Sequence, residues 1–162
     1  NLKNEIFKNP SKDHQQITNL IDKFSGQVSG ESIIEKNQVE IKEIFEQENI
    51  EEILNKTYSL SQNGSEFSKN TEHELKGKSP TSLKITFKQI HMATEMSLRD
   101  ALIMEYRMVQ RCQASGDFYE GVRAMLVDKD RNPQWKPSNL DKVDEIWVNH
   151  FFEPLHEKDL KI

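Results

Sequence analysis

Lys129, Arg131, Trp135 and Lys136 fall in one short stretch, and together they are the best ligand-binding candidates in the sequence. An indole beside cations can stack a base, while ammonium and guanidinium groups can meet phosphates. The plainer alternative is a turn whose Trp packs on neighbouring helices and whose charges face water, and residue types alone favour it. Asp117 and Glu120, just upstream, have the types needed for a paired acid and base. At that spacing an N-cap Asp and a Glu folding back on it account for both. Arg123 shares the segment and is placed to pair with Glu120 or Glu105.

Other chemistry is sparse. Cys112 is the single cysteine, which excludes an internal disulfide and a cysteine zinc site. It sits in a helical pattern with no His near it in sequence, so it reads as a core thiol rather than a nucleophile. His14, His73, His91, His150 and His156 show no metal-ligand spacing with a second His or with Cys112, so no metal is expected. No phosphate-binding glycine loop, HExxH, GxSxG or EF-hand loop occurs. Eight glutamates between Glu31 and Glu52 spread round their helices, as a solvated acidic face does.

The 162 residues suffice for one domain with a core. With 35% hydrophobic and 30% charged residues, a thin helical layer is expected. A net charge of −5 gives no general basis for binding nucleic acid, and no apolar run is long enough to span a bilayer. The chain opens on Asn1, not Met, and reads as the later part of something longer.

The elements that must position these side chains are helices. Ile17, Leu20, Ile21 and Phe24 make one apolar face, with Ser11 as cap and Gly26 as stop. Ile34, Ile41, Ile44 and Phe45 predict a second helix. Ile50, Ile53, Leu54 and Tyr58 predict a third, capped by Asn49 with Glu52 and ended by Gly64. A short helix carries Phe67 and Leu75. Ser79-Pro80 is an N-cap followed by proline at the first helical position, and Leu83, Phe87 and Ile90 line that helix, with Ile85 and Met92 away from its face. Ser97 with Asp100 opens a helix apolar on more than one side (Leu98, Leu102, Met104, Tyr106, Val109, Cys112), which predicts a central position; Gly116 stops it. Asp117 with Glu120 starts the next, striped by Phe118, Val122, Met125 and Leu126. Pro133 and Pro137 frame a turn. Ser138 with Asp141 starts the last helix, anchored by Ile146, Trp147, Phe151 and Phe152 and ended by Pro154. The expectation is an all-α fold of six to eight helices without a strand or an internal repeat.

SPTSLKIT (Ser79–Thr86), MEYRMVQRC (Met104–Cys112), DFYEGVRAMLVDKDRNPQWKP (Asp117–Pro137) and NHFF (Asn149–Phe152) resemble the C-terminal part of the 3-hydroxyisobutyryl-CoA hydrolases, a branch of the enoyl-CoA hydratase/isomerase, or crotonase, superfamily. The likeness continues more loosely over Ser11–Leu75, including NGSEF (Asn63–Phe67), so residues 1–78 read as N-terminal helices and 79–162 as the region with the family signature. The resemblance implies a parent protein that hydrolyses an acyl-CoA thioester in valine breakdown, in mitochondria, with no metal or cofactor. It implies a backbone oxyanion hole and a catalytic Glu and Asp, all in an upstream βα-spiral core and none in these residues. It leaves this chain the tasks of packing on that core, walling the acyl-CoA pocket and aiding subunit contacts. Lys129, Arg131, Trp135 and Lys136 would then touch the CoA nucleotide, and Phe118, Leu126, Trp135, Trp147 and Phe151 would face the core or a partner. The expected partners are the catalytic core, on the same or a separate polypeptide, a homo-oligomer or a larger mitochondrial complex. Two other readings are a non-catalytic structural subunit of an assembly such as a mitoribosome, and a free-standing helical adaptor using the Glu31–Glu52 face.

Overall fold

A computed structural model describes residues 7–8, 13–25 and 30–162. Among them the regular structure is helical, with no strand, in agreement with the all-α expectation. Two compact units are present, Asn1–Gln38 and Val39–Ile162. The first unit holds α1 (His14–Phe24) and α2 (Ile33–Lys36). Asp13 caps α1 by accepting from the Gln16 amide at 2.8 Å. Ser11 and Gly26, the expected cap and stop, lie outside the described residues. The Ser32–Glu35 capping box of α2 was not anticipated. With its short helix it splits the predicted second helix in two.

α3 (Gln38–Phe45) leads into the second unit, which continues with α4 (Ile50–Gln62), α5 (Glu66–Lys76), α6 (Pro80–Ala93), α7 (Leu98–Ala114), α8 (Gly116–Val122) and α9 (Glu145–His150). Among the described residues there are nine α-helices against the six to eight expected, because short pieces such as α2 add to the longer ones. Three local caps formed where the sequence signalled them. Asn49 accepts from the Glu52 amide at 2.8 Å, Ser79 from Ser82 at 3.1 Å and Ser97 from Asp100 at 3.1 Å. After α4 the chain turns at Gly64, whose φ of +95° is the left-handed conformation glycine adopts without penalty.

Two apolar clusters make the interior. Ile44, Ile50 and Ile53 gather Phe67, Leu75, Leu83 and Phe87 around them. Ile85, Met104, Met108, Val143, Val148 and Phe151 form the other, with Met92 and Cys112 against it. α6 therefore gives Leu83 and Phe87 to one cluster and Ile85 and Met92 to the other. This corrects the one-faced reading of α6: Ile85 is 4% exposed, whereas Ile90 is 61% exposed. α7 is corrected in the opposite sense. Met104 and Met108 are buried, but Leu98, Leu102 and Val109 face outward, so the helix is covered on one side only.

The end of the chain also departs from expectation. Residues Leu140–Lys142 form a single 3-10 turn, and α9 begins at Asp144, which accepts from the Trp147 amide at 2.6 Å. The inward residues here are Val148 and Phe151, the residue that closes α9, whereas Ile146 faces outward. Phe151 is only 1% exposed, so it belongs to the core and offers no open surface to a partner. On unfolding in urea, Phe151→Ala should lose about 3–5 kcal/mol. Ile146→Ala, at an 83% exposed position, should change stability by no more than about 0.5 kcal/mol. Similar losses from the two would contradict this assignment of the core.

Candidate functional site

One concavity among the described residues is a groove of about 820 Å³, within the roughly 300–1,000 Å³ usual for ligand clefts. Its floor comes from α4 and α6 through Ile53, Leu83 and Phe87, and one wall comes from α8 through Phe118 and from the turn that follows it, Arg123–Val127, through Met125 and Leu126. Phe118 is 45% and Leu126 68% exposed, so the rim is open and apolar. Cys112 lines the groove as a free thiol, and burial pushes its ionisation upward, away from nucleophile behaviour.

Asp117 and Lys78 are the charged groups on the groove, and both are engaged. The Lys78 ammonium donates to Glu74 at 2.9 Å. Asp117 accepts from the Ser79 hydroxyl at 2.6 Å through one oxygen and from the Lys136 amide at 2.8 Å through the other. This corrects the expected capping box. α8 starts at Gly116 with no side-chain cap, because Asp117 and Glu120 are drawn to tertiary donors rather than to their own helix end. Asp117 thus ties the start of α6 to the loop after α8.

Glu120 serves a second hub. It accepts from the Arg123 guanidinium through both oxygens, at 2.8 and 2.9 Å, and from the Gln134 amide at 2.6 Å. Arg123 also donates to Asp128 and Asp130 at 2.6 Å each and to the Asn132 carbonyl at 3.3 Å. Around this guanidinium the chain leaves α8 by a π-helical turn, Arg123–Val127, and doubles back. Lys129 and Arg131 take φ values of 58° and 55° within that loop. Each left-handed non-glycine residue costs about 1–2 kcal/mol, and the three carboxylates on Arg123 hold the loop against that cost. Glu105, the other partner considered for Arg123, accepts from Gln89 instead at 3.2 Å.

The loop does not gather Lys129, Arg131, Trp135 and Lys136 into a stacking platform. The Trp135 indole donates to the Gly77 carbonyl at 3.0 Å and its ring lies on Gly121, where an added Cβ would sit 3.3 Å from the ring. The indole is therefore held by packing at that edge, though it stays partly exposed. Lys129, Arg131 and Lys136 are exposed, and among the described residues no ion pair holds their side chains. Trp147 is 41% exposed, stacks on His150 and meets Phe151 edge-on at 5.2 Å, away from the groove lining. Sequence reading missed Asp128 and Asp130 as partners of Arg123. Alternating acidic and basic residues were their signal, and only the reversal after α8 brings them together. No group of three or more His, Cys, Asp or Glu residues placed to hold a metal occurs among the described residues. No described helix is long and apolar enough to cross a membrane.

A family model described as enoyl-CoA hydratase/isomerase matches residues 1–152. Over 160 residues the chain is 40% identical to the mitochondrial 3-hydroxyisobutyryl-CoA hydrolase of Gallus gallus, covering 96% of this chain and 40% of that protein. The Homo sapiens protein of the same name is 41% identical over 129 residues, 80% of this chain and 33% of its own length. The chain thus spans two fifths or less of these two curated relatives. Among solved structures, a carnitinyl-CoA dehydratase from Mycobacterium thermoresistibile superposes with a TM-score of 0.78 at 24% identity, over 98% of this chain and 44% of its own. An enoyl-CoA hydratase from Rhodobacter sphaeroides 2.4.1 gives 0.76 at 24% identity, over 93% and 46%. At that identity the two structures establish a shared fold.

The Arg123 hub makes a prediction about acid. The guanidinium, helped by the Gln134 amide, pulls the Glu120 carboxyl from an ordinary value of 4.5 down to about 2. The unfolded chain therefore takes up this proton first. The hub's contribution is fully present above the unfolded value and is lost as pH falls through the interval down to the folded one. Thermal midpoints measured from pH 7 to pH 2 should fall less steeply across that interval in Glu120→Gln, starting from a lower midpoint at pH 7. Superimposable profiles would show that the hub does not contribute.

Proposed function

This chain belongs to the enoyl-CoA hydratase/isomerase family, and from that premise we propose that it is the helical C-terminal part of a 3-hydroxyisobutyryl-CoA hydrolase. The activity proposed for the whole protein is hydrolysis of that acyl-CoA thioester, in valine breakdown and in mitochondria. Support for this substrate and location comes from the names of the relatives that match nearly the full chain. Within it, this chain packs on the catalytic core, walls the acyl-CoA pocket and aids contacts between subunits, with the family signature from Ser79 onward supplying the specific contacts.

The observation that carries this reading is the groove. It is wide, apolar and open along Phe118, Met125 and Leu126, and its two charged groups are already engaged. Thioester hydrolysis needs a positioned base, an activated water and donors aimed at the developing oxyanion. A groove of this character instead suits burial of an apolar partner surface or an acyl chain. The nucleotide of CoA would meet the exposed Lys129, Arg131 and Lys136, with the indole of Trp135 already tied to the Gly77 carbonyl.

The purified 162-residue chain should release no thiol from 3-hydroxyisobutyryl-CoA above background, whereas the intact polypeptide carrying this sequence should be active and much heavier than 19.0 kDa. In that polypeptide Leu126→Asp should cut activity at least about tenfold by placing a charge in the packed face. The same change in the 162-residue chain should leave helicity and melting nearly unaltered, since Leu126 is 68% exposed there. Hydrolysis by the chain alone, or full activity in the intact Leu126→Asp protein, would overturn the proposal. An intact mass near 19.0 kDa would instead favour the structural-subunit reading.

A further inference from the structure

Helix α7 carries three arginines, Arg99, Arg107 and Arg111, separated by eight and four residues. At 3.6 residues per turn they fall on one side of the helix, within an arc of about 120° and about 18 Å from first to last. All three reach the final segment of the chain. Arg99 Nε donates to the Ile162 carbonyl at 2.8 Å. Arg107 Nε donates to both oxygens of Asp159, at 2.9 and 3.0 Å, and its Nη2 donates to the same carboxylate. Arg111 Nη2 donates to the Pro154 carbonyl at 3.5 Å. The segment runs antiparallel to α7, meeting Arg111 first, Arg107 next and Arg99 last.

We infer that this arginine stripe is a binding surface for an acidic polypeptide segment, occupied in cis by residues Pro154–Ile162. Three features support it. Charged acceptors are few, since Asp159 supplies the one side-chain carboxylate that the three guanidiniums meet among the described residues. The fit is incomplete, since Arg111 Nη1 is buried with no hydrogen-bond partner among the described residues, and a buried donor without an acceptor is costly. The strap itself is lightly held. His156 sits in a left-handed conformation (φ 54°), Glu157 and Lys158 are exposed, and only Leu155 and Leu160 offer half-buried apolar groups. A segment with further carboxylates would answer Arg99 and Arg111 better than the two carbonyls do, because the planar guanidinium fork matches a carboxylate. The alternation of carbonyl, carboxylate and carbonyl on the stripe is what a polypeptide offers, whereas a small anion would engage Arg107 alone.

The test is fluorescence anisotropy with a labelled hexaglutamate peptide at low salt. In the unmodified chain the strap competes, and apparent affinity falls by the fraction of molecules with the stripe free. Asp159→Asn releases Arg107 without adding charge, and should tighten binding by about five- to tenfold. Adding Arg107→Gln to that variant should abolish the gain. A second readout uses the unmodified chain: saturating peptide should speed amide hydrogen exchange in Leu155–Ile162 while exchange in α6 stays unchanged. Binding no tighter in Asp159→Asn, a gain that survives Arg107→Gln, or peptide binding without faster exchange in the strap would each overturn the inference. Should Asp159→Asn fail to fold, the exchange measurement decides.

Discussion

Helix α6 is packed from both sides, and each apolar cluster takes residues from it. Leu83 and Phe87 complete the cluster around Ile44, Ile50 and Ile53, while Ile85 and Met92 belong with Met104, Met108 and Phe151. Its polar residues carry the same double duty. Ser79 caps the helix and donates to Asp117, and Lys84 reaches both Glu51 and the Val143 carbonyl. A thin helical layer with so high a charge content cannot bury every helix deeply. It concentrates burial on one element and lets α7 and α9 remain half-covered. The groove is a consequence: it runs where α6 has no further helix laid across it.

Polar groups near the groove are engaged for order rather than for reaction. Asp117 joins the start of α6 to the loop after α8, and Arg123 gathers Glu120, Asp128 and Asp130 to fold that loop back. The two hubs fix the apolar wall of Phe118, Met125 and Leu126 from behind. Rigidity of this kind favours any association, since a wall that had to order itself on contact would subtract that entropy from it.

How much of this was legible depended on distance along the chain. Ser79-Pro80, Asn49 with Glu52 and Ser97 with Asp100 were readable because a cap is settled within four residues. Asp117 and Glu120 show the same local signature and do something else, since the Ser79 hydroxyl and the Lys136 and Gln134 amides reach them through tertiary contact. Periodicity found the α6 face made by Leu83 and Phe87 but had no means of seeing that Ile85 would be wanted on the other side. On α7, the sequence showed too many apolar positions and the structure uses Met104 and Met108. Of the proposed binding group, the turn around Trp135 takes its plainer form, an indole packed on its neighbours; Glu120 was legible as a partner of Arg123, whereas Asp128 and Asp130 meet it only because the chain reverses.

The chain's two tryptophans ended up in different company. Trp135 has its N–H tied to the Gly77 carbonyl and its ring laid on backbone at Gly121, while Trp147 lies over the His150 imidazole with much of its edge in water. Their emission therefore reports on two places at once. A soluble quencher reaches the second indole before the first, and a blue-shifted residual signal marks the reversed loop as still seated on α8. The molecule carries its own optical gauge of whether the wall behind the groove is in place, with no dye attached.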